Sequence, residues 1–141
     1  MFVVDAVGLS GGLALFWMED VQLEIQNYSL RHINAVITEP RLNFQWKLTG
    51  FYGHPETARR GEGWSLLRHL QSLPPDPWLC IGDFNEIVEQ TEKVGGALRP
   101  IRQMEAFRAV LDDCSLSDLG SLGRDSHGAT TEKTPHLQRN D

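Results

Sequence analysis

Apolar and polar residues alternate through the first third of the chain, and then the period changes. Gly12 to Trp17 (GLALFW) is a short apolar run between Ser10-Gly11-Gly12 and Glu19-Asp20, the pattern of a buried strand between turns. From Val21 to Asn27, Val21, Leu23 and Ile25 point one way, while Gln22, Glu24 and Gln26 point the other. Ile33, Ala35 and Ile37 repeat the theme after a turn around Ser29 to His32. Beyond Pro40 to Asn43, the residues Phe44, Trp46, Leu48, Gly50 and Tyr52 alternate with Gln45, Lys47 and Thr49. Successive strands with short connections predict an antiparallel stretch with one buried face.

Helical spacing then takes over. Thr57 to Leu73 carries Trp64, Leu67 and Leu70 on one stripe, with Gly61 and Gly63 weakening its first turns and Pro74, Pro75 and Pro77 ending it. Trp78-Leu79-Cys80-Ile81 is a continuous apolar run that predicts a strand buried on both faces, followed by the turn Gly82-Asp83-Phe84-Asn85. A polar loop from Glu89 to Arg102 leads to a second amphipathic helix, Gln103 to Cys114, with Met104, Phe107, Leu111 and Cys114 aligned. Strands, helix, buried strand, loop and helix together predict a mixed α/β architecture. From Ser121 to Asp141 apolar periodicity is lost, and the composition predicts a disordered tail.

Composition narrows the function classes. The 141 residues are 40% hydrophobic and 23% charged, an ordinary globular mixture of one domain's length. A formal net charge of −6 supplies no global basic field to draw the chain to nucleic acid or anionic lipid. Any nucleic-acid contact therefore has to be local, or helped by bound cations. Two cysteines, Cys80 and Cys114, are too few for a disulfide scaffold and read as buried free thiols. Ala6 to Met18, the longest uncharged stretch, is too short to cross a bilayer and follows no Lys or Arg. The chain reads as soluble and intracellular, with no membrane partner.

Candidate chemistry centres on Asp83 and Asn85, just past the end of the buried strand, where sites gather in α/β sheets. A carboxylate there can take a proton from water or bind a metal, and an amide two residues on can orient a nucleophile. The bland alternative is that any turn after a strand uses Gly, Asp and Asn. Tyr52, at the end of its alternating strand, offers a phenol to a phosphate, or serves as a core residue with its hydroxyl at the rim. His54 in the next loop reads as solvated, and the row Asp83, Glu86, Glu89, Glu92 as a solvated acidic face.

Taken together, SGGLALFW, WKLTGFYGHPE, PWLCIGDFNEI, EKVGG and MEAFRAVLDDCSLSDLG, in this order, resemble the endonuclease/exonuclease/phosphatase superfamily. More narrowly, they look like the endonuclease domain of plant LINE-type non-LTR retrotransposons. The likeness runs from about Val7 to Gly120. It implies an α/β fold that is an incomplete part of a four-layer α/β/β/α, DNase I-like sandwich, with 1–120 a partial domain. It implies phosphodiester hydrolysis with Mg²⁺ (or Mn²⁺), DNA as partner, no small-molecule cofactor, and a reverse transcriptase domain in cis in a full-length element.

On matching positions, Asp83 corresponds to the aspartate that positions or deprotonates the attacking water. Asn85 matches the asparagine that binds the scissile phosphate and orients the site, and Tyr52 the tyrosine that contacts phosphate. Asp83 is also the one matching position left to ligate metal, because the family's principal glutamate ligand has no counterpart. The family's closing Asp-His pair has none either; Asp125-Ser126-His127 is not adjacent and falls too early. Joining the last base of each codon from Asp125 to Thr131 with the first two of the next permits Phe-Thr-Trp-Ser-Asn-Asn, the family's continuation. Residues 121–141 are therefore expected to be an out-of-frame tail. The expectation is a fragment of a DNA-nicking endonuclease, inactive alone. A non-catalytic relic or interaction module is the alternative, and a phosphatase of the same superfamily is a third that GFYGHPE and EKVGG disfavour.

Overall fold

A computed structural model describes residues 1–9, 11–119 and 136–139. Its described strands form two sheets. A two-stranded antiparallel sheet joins β1 (Phe2–Val4) to β2 (Leu13–Leu15). A six-stranded sheet follows the order β3 (Gln22–Ser29), β4 (His32–Glu39), β5 (Phe44–Tyr52), β6 (Trp78–Asp83), β8 (His136–Arg139) and β7 (Leu116–Asp118). The architecture is mixed α/β, as the change of hydrophobic period predicts.

β3, β4 and β5 form the expected antiparallel run, and β6 lies parallel to β5. A parallel neighbour needs a crossover, and α1 (Arg60–Gln71) supplies it between them. The helix buries Trp64, Leu67 and Leu70, the stripe read from the sequence, against the sheet. α2 (Ile101–Asp113) adds Phe107, Val110 and Leu111 to the same core. Cys80 and Cys114 are buried in it, and burial with Cys114 nearby pushes the Cys80 thiol well above its ordinary range.

Register sorts the sheet into two faces. Leu48, Ala35 and Leu79 share one face with Trp46, Ile37, Ile81 and Asp83; Lys47, Thr49, Trp78 and Cys80 share the other. The helices cover the second face. The small sheet lies over the first, where β2 approaches β4 and β5 and the Phe2 ring meets Tyr28, the register partner of Ile33. These are helix layer, large sheet and a two-stranded remnant of a second β layer: an incomplete sandwich.

Three expectations need correction. The alternation in β5 places Trp46, Leu48 and Tyr52 on the buried face, yet Lys47, Thr49 and Phe51 are the residues fully enclosed. Lys47 is 0% exposed because Nζ donates to Leu70 O at 2.6 Å and to Leu73 O at the end of α1, over the Trp78 ring. A cation at a helix C-terminus satisfies carbonyls that have no partner within the helix. Thr49 Oγ1 donates to Asn34 Oδ1 at 2.8 Å and accepts from Trp78 Nε1 at 2.9 Å, so this polar row closes on itself. Second, β6 is internal but not buried on both faces: Trp78 and Cys80 are 0% exposed, whereas Ile81 is 36% exposed. Third, His136–Arg139, within the segment expected to be disordered, forms β8, whose backbone bonds β6 and β7. The rest of that tail, including Asp125, Ser126 and His127, lies outside the described residues.

Candidate functional site

The ends of β5 and β6 meet because two glycines allow it. A Cβ on Gly82 would lie 1.8 Å from Phe51 O, and one on Gly53 would lie 2.1 Å from Phe84 O. Neither side chain fits, so GFYG and GDFN interlock through bare backbone. Gly53 N then donates to Asp83 O at 2.7 Å. Beneath them, Phe51 and Phe84 pack at 5.1 Å between ring centroids, and Phe84 packs on Phe107 at 5.7 Å. The apolar members of the two motifs anchor the strand ends in the helix-side core.

The polar members come together on the other face. Tyr52 and Asp83 are direct register partners on adjacent strands. The Asp83 carboxylate accepts a hydrogen bond from Asn85 N at 2.8 Å, an Asx turn that holds Asn85 at a left-handed φ of 52°. Asn85 Nδ2 donates to Gly53 O at 2.8 Å, which fixes the amide against the residue after Tyr52. Asp83, Asn85 and Tyr52 thus converge at one end of the sheet. Asp83 is exposed and Tyr52 and Asn85 are half-buried.

The surroundings depart from the expectations made for them. His54 is 5% exposed, not solvated, with Nε2 3.4 Å from a Glu62 carboxylate oxygen and a buried Nδ1 lacking a hydrogen-bond partner among the described residues. Burial, together with the charges of Arg31 and Arg59, holds its imidazole below the ordinary pKa. The acidic row is not one solvated face either. Glu86 is buried, with Arg60 NH1 at 2.7 Å and Arg99 Nε at 2.9 Å from its two oxygens. The Arg99 contact is an ion pair without hydrogen-bond alignment. Arg60 also donates to His54 O at 3.3 Å and to Pro55 O at 3.2 Å, tying the loop after Tyr52 to the loop after Asn85. Glu92 Oε1 accepts from Glu89 N at 3.0 Å and closes its own short turn.

Sequence reasoning missed Arg31. Its carbonyl accepts from Tyr52 N at 2.8 Å and its guanidinium carbon lies 5.2 Å from the Tyr52 ring centroid. Counting the β4–β5 register back by one residue from His32 and Phe51 would have placed it there.

A divalent ion, which the motif resemblance implies, finds a poor donor set. Among the described residues no group of three or more His, Cys, Asp or Glu side chains converges. Glu86, the nearest carboxylate in sequence, is turned into its arginine clamp. Hard divalent cations take about six oxygen ligands, of which Mg²⁺ keeps several as water, and the described residues offer it no cluster of three or more protein ligands.

The fold is similar to a solved structure, the endonuclease domain of TRAS1, a telomere-specific non-LTR retrotransposon, with a TM-score of 0.60 at 12% sequence identity. The match covers 85% of this chain and 54% of that one, so the chain spans about half the length of that structure. No family model matches the chain, and no curated protein matches it. The likeness carries the fold, an endonuclease-type α/β sandwich represented here in part. Among the described residues no helix is long and apolar enough to cross a membrane.

Proposed function

We propose that the chain is part of a phosphodiester-cleaving endonuclease domain that acts on DNA and that, in these 141 residues alone, is inactive. The observation that carries the reading is the convergence of Tyr52, Asp83 and Asn85 where two glycine-permitted strand ends interlock. In that role Asp83 takes the proton of an attacking water. Asn85, with one amide hydrogen committed to Gly53 O, has a second with which to orient a phosphate oxygen. Tyr52 donates its hydroxyl to another. Hydrolysis also needs charge neutralisation at the developing oxyanion, and the described residues supply no metal chelate for it. The Mg²⁺ or Mn²⁺, and the reverse transcriptase domain in cis, belong to the reading through the motif resemblance. A second reading, a non-catalytic module on the same scaffold, is favoured by that missing donor set.

The test is plasmid nicking. Residues 1–141 with Mg²⁺ or Mn²⁺ should nick supercoiled DNA no faster than Asp83→Ala, because removing members of a unit that acts together costs nearly all of the rate. A chimera fused to the glutamate-bearing strand and the Asp-His segment that the resemblance calls for should gain nicking. It should lose nicking again on Asp83→Ala or Asn85→Ala. Cleavage by the unmodified chain, abolished by Asp83→Ala, would refute the claim of inactivity. A silent chimera would refute the nuclease reading.

A further inference from the structure

Between β6 and α2 the chain makes a long connection, from Phe84 to Pro100, that is tied by polar contacts at its base and apolar at its rim. Gly95 and Gly96, at left-handed φ of 77° and 71°, reverse the chain, and Lys93 Nζ donates to Ala97 O across the reversal. Arg99 N donates to Gln90 Oε1 at 2.8 Å, and Arg99 Nε lies 2.9 Å from Glu86 Oε1. Outside this frame Val94 is 88% exposed, Leu98 79%, and Ile101, the first residue of α2, 68%. A lone exposed aliphatic side chain is ordinary on a protein surface, whereas three on one braced loop mark a contact surface.

We infer that the loop from Lys93 to Arg102 is a second DNA contact, which lays Val94, Leu98 and Ile101 against the sugar walls and base edges of the minor groove while Lys93 and Arg102 meet the flanking phosphates. This rests on the DNA reading above and deepens it by naming a contact outside the Tyr52, Asp83 and Asn85 group. Charge sets the partner. From Lys93 to Met104 the charged residues are Lys93, Arg99 and Arg102, without one Asp or Glu, in a chain whose net charge is −6. Arg99 is matched by Glu86; Lys93 and Arg102 flank the apolar side chains, the first half-buried and the second exposed. Aliphatic side chains set between cations suit a duplex, whose minor groove accepts apolar wedges and is edged by phosphate.

Position links the loop to the candidate site. Glu86, which anchors Arg99, directly follows Asn85. Arg60 donates to Gln103 Oε1 at 3.2 Å as well as to His54 O and Pro55 O, so the start of α2 is joined to the chain just beyond Tyr52. The loop is thus braced against both strand ends that carry the site. The acids that precede it are engaged locally: Glu86 is enclosed, and the Glu89 and Glu92 side chains each accept from the other's backbone N–H in a capping box. A loop whose shape is set before contact loses little freedom on binding.

The experiment is fluorescence anisotropy of a labelled short DNA duplex, in EDTA and in Mg²⁺, across a KCl series. Leu98→Ser and Ile101→Ser should each weaken binding about fivefold at every salt concentration, with the slope of log K against log salt unchanged, because an apolar contact releases no counterion. Arg102→Ala should instead lower that slope by about 0.9, the value for one phosphate contact. Leu42→Ser, at a leucine 74% exposed in the β4–β5 connection at the opposite end of the strands, should bind as the parent does. All four positions are exposed, so the variants should keep the parent's circular dichroism. Unchanged affinity in both Leu98→Ser and Ile101→Ser overturns the inference and leaves the DNA reading standing. So does an equal loss in Leu42→Ser. So does unaltered DNA binding in serine variants that no longer elute earlier as concentration rises, which would make the loop a protein contact. No binding by the parent chain in either buffer overturns both readings.

Discussion

Glu86→Ala should be among the most damaging single substitutions away from the apolar core. The Glu86 side chain is 1% exposed and lies between Arg60 NH1 at 2.7 Å and Arg99 Nε at 2.9 Å, while accepting from Ile87 N at 3.0 Å. Removing one member of a buried ion pair costs about 3–5 kcal/mol, because the other charge stays enclosed without compensation. Arg60 is 8% exposed on its side chain but keeps His54 O, Pro55 O and Gln103 Oε1 as neutral acceptors, at 3.3, 3.2 and 3.2 Å. Arg99 is 24% exposed on its side chain and reaches water. Both facts place the loss at the lower end, about 3 kcal/mol. With a urea m-value of about 1–3 kcal/mol/M, the unfolding midpoint followed by far-UV circular dichroism should fall by about 1 M or more. Glu105→Ala, an exposed change on α2, should change stability by less than about 0.5 kcal/mol. Adding Arg60→Met to Glu86→Ala should restore part of the loss, since the more deeply buried of the two cations is then gone. A Glu86→Ala variant within about 1 kcal/mol of the parent, or a double variant equal to the sum of its parts, would refute the argument.

Other outcomes follow from the same geometry. Gly82→Ala sets a Cβ 1.8 Å from Phe51 O at a φ of +150°, so hydrogen exchange at Gly53 N–H, the bond that joins the two strand ends, should lose its protection; retained protection would contradict the interlock. His32 and His54 are both held below the ordinary histidine pKa, largely by burial. The unfolded chain therefore binds more protons below about pH 6.5, and stability should fall as pH drops through that value. Urea midpoints at neutral and mildly acidic pH should show the fall, and His32→Gln should flatten it. Trp46, Pro77, Leu79 and Leu119 line an open apolar cleft of about 180 Å³. The folded chain should bind an apolar dye strongly, elute earlier as its concentration rises and melt broadly; a sharp, reversible transition with weak dye binding would show a closed core.

Much of the fold was legible because its signals are local. The stripes Trp64, Leu67, Leu70 and Met104, Phe107, Leu111 name the buried sides of α1 and α2 from spacing alone. The meeting of Tyr52, Asp83 and Asn85 was legible as well, since both motifs end strands and carry glycine where a close approach needs it. What escaped reading depends on partners far along the chain. Lys47 looks like a solvent-facing residue until α1 ends above it, with Leu70 O 23 residues away in sequence. Glu86 reads as one more surface acid until Arg60, 26 residues earlier, reaches it. In both cases a polar group is enclosed because a distant polar group satisfies it, and alternation patterns carry no record of that pairing.

The exposed part of the core and the candidate site lie on the same side of this sheet. On the helix side the core is closed: Phe51, Trp78, Phe84 and Phe107 are each 0–1% exposed, and even the buried Lys47 and Thr49 are satisfied. On the other side Ile81 is 36% exposed and Leu119 50%, and the face that leaves them open is the one carrying Tyr52 and Asp83. Any element that covered the open face would bury Ile81 and could at the same moment bring donors to Asp83, the register neighbour of Tyr52. Adding such an element in trans should therefore sharpen melting and alter the behaviour of the Asp83 end together. If it sharpened melting while the Asp83 end behaved as before, the open core and the open site would be independent features of the fold.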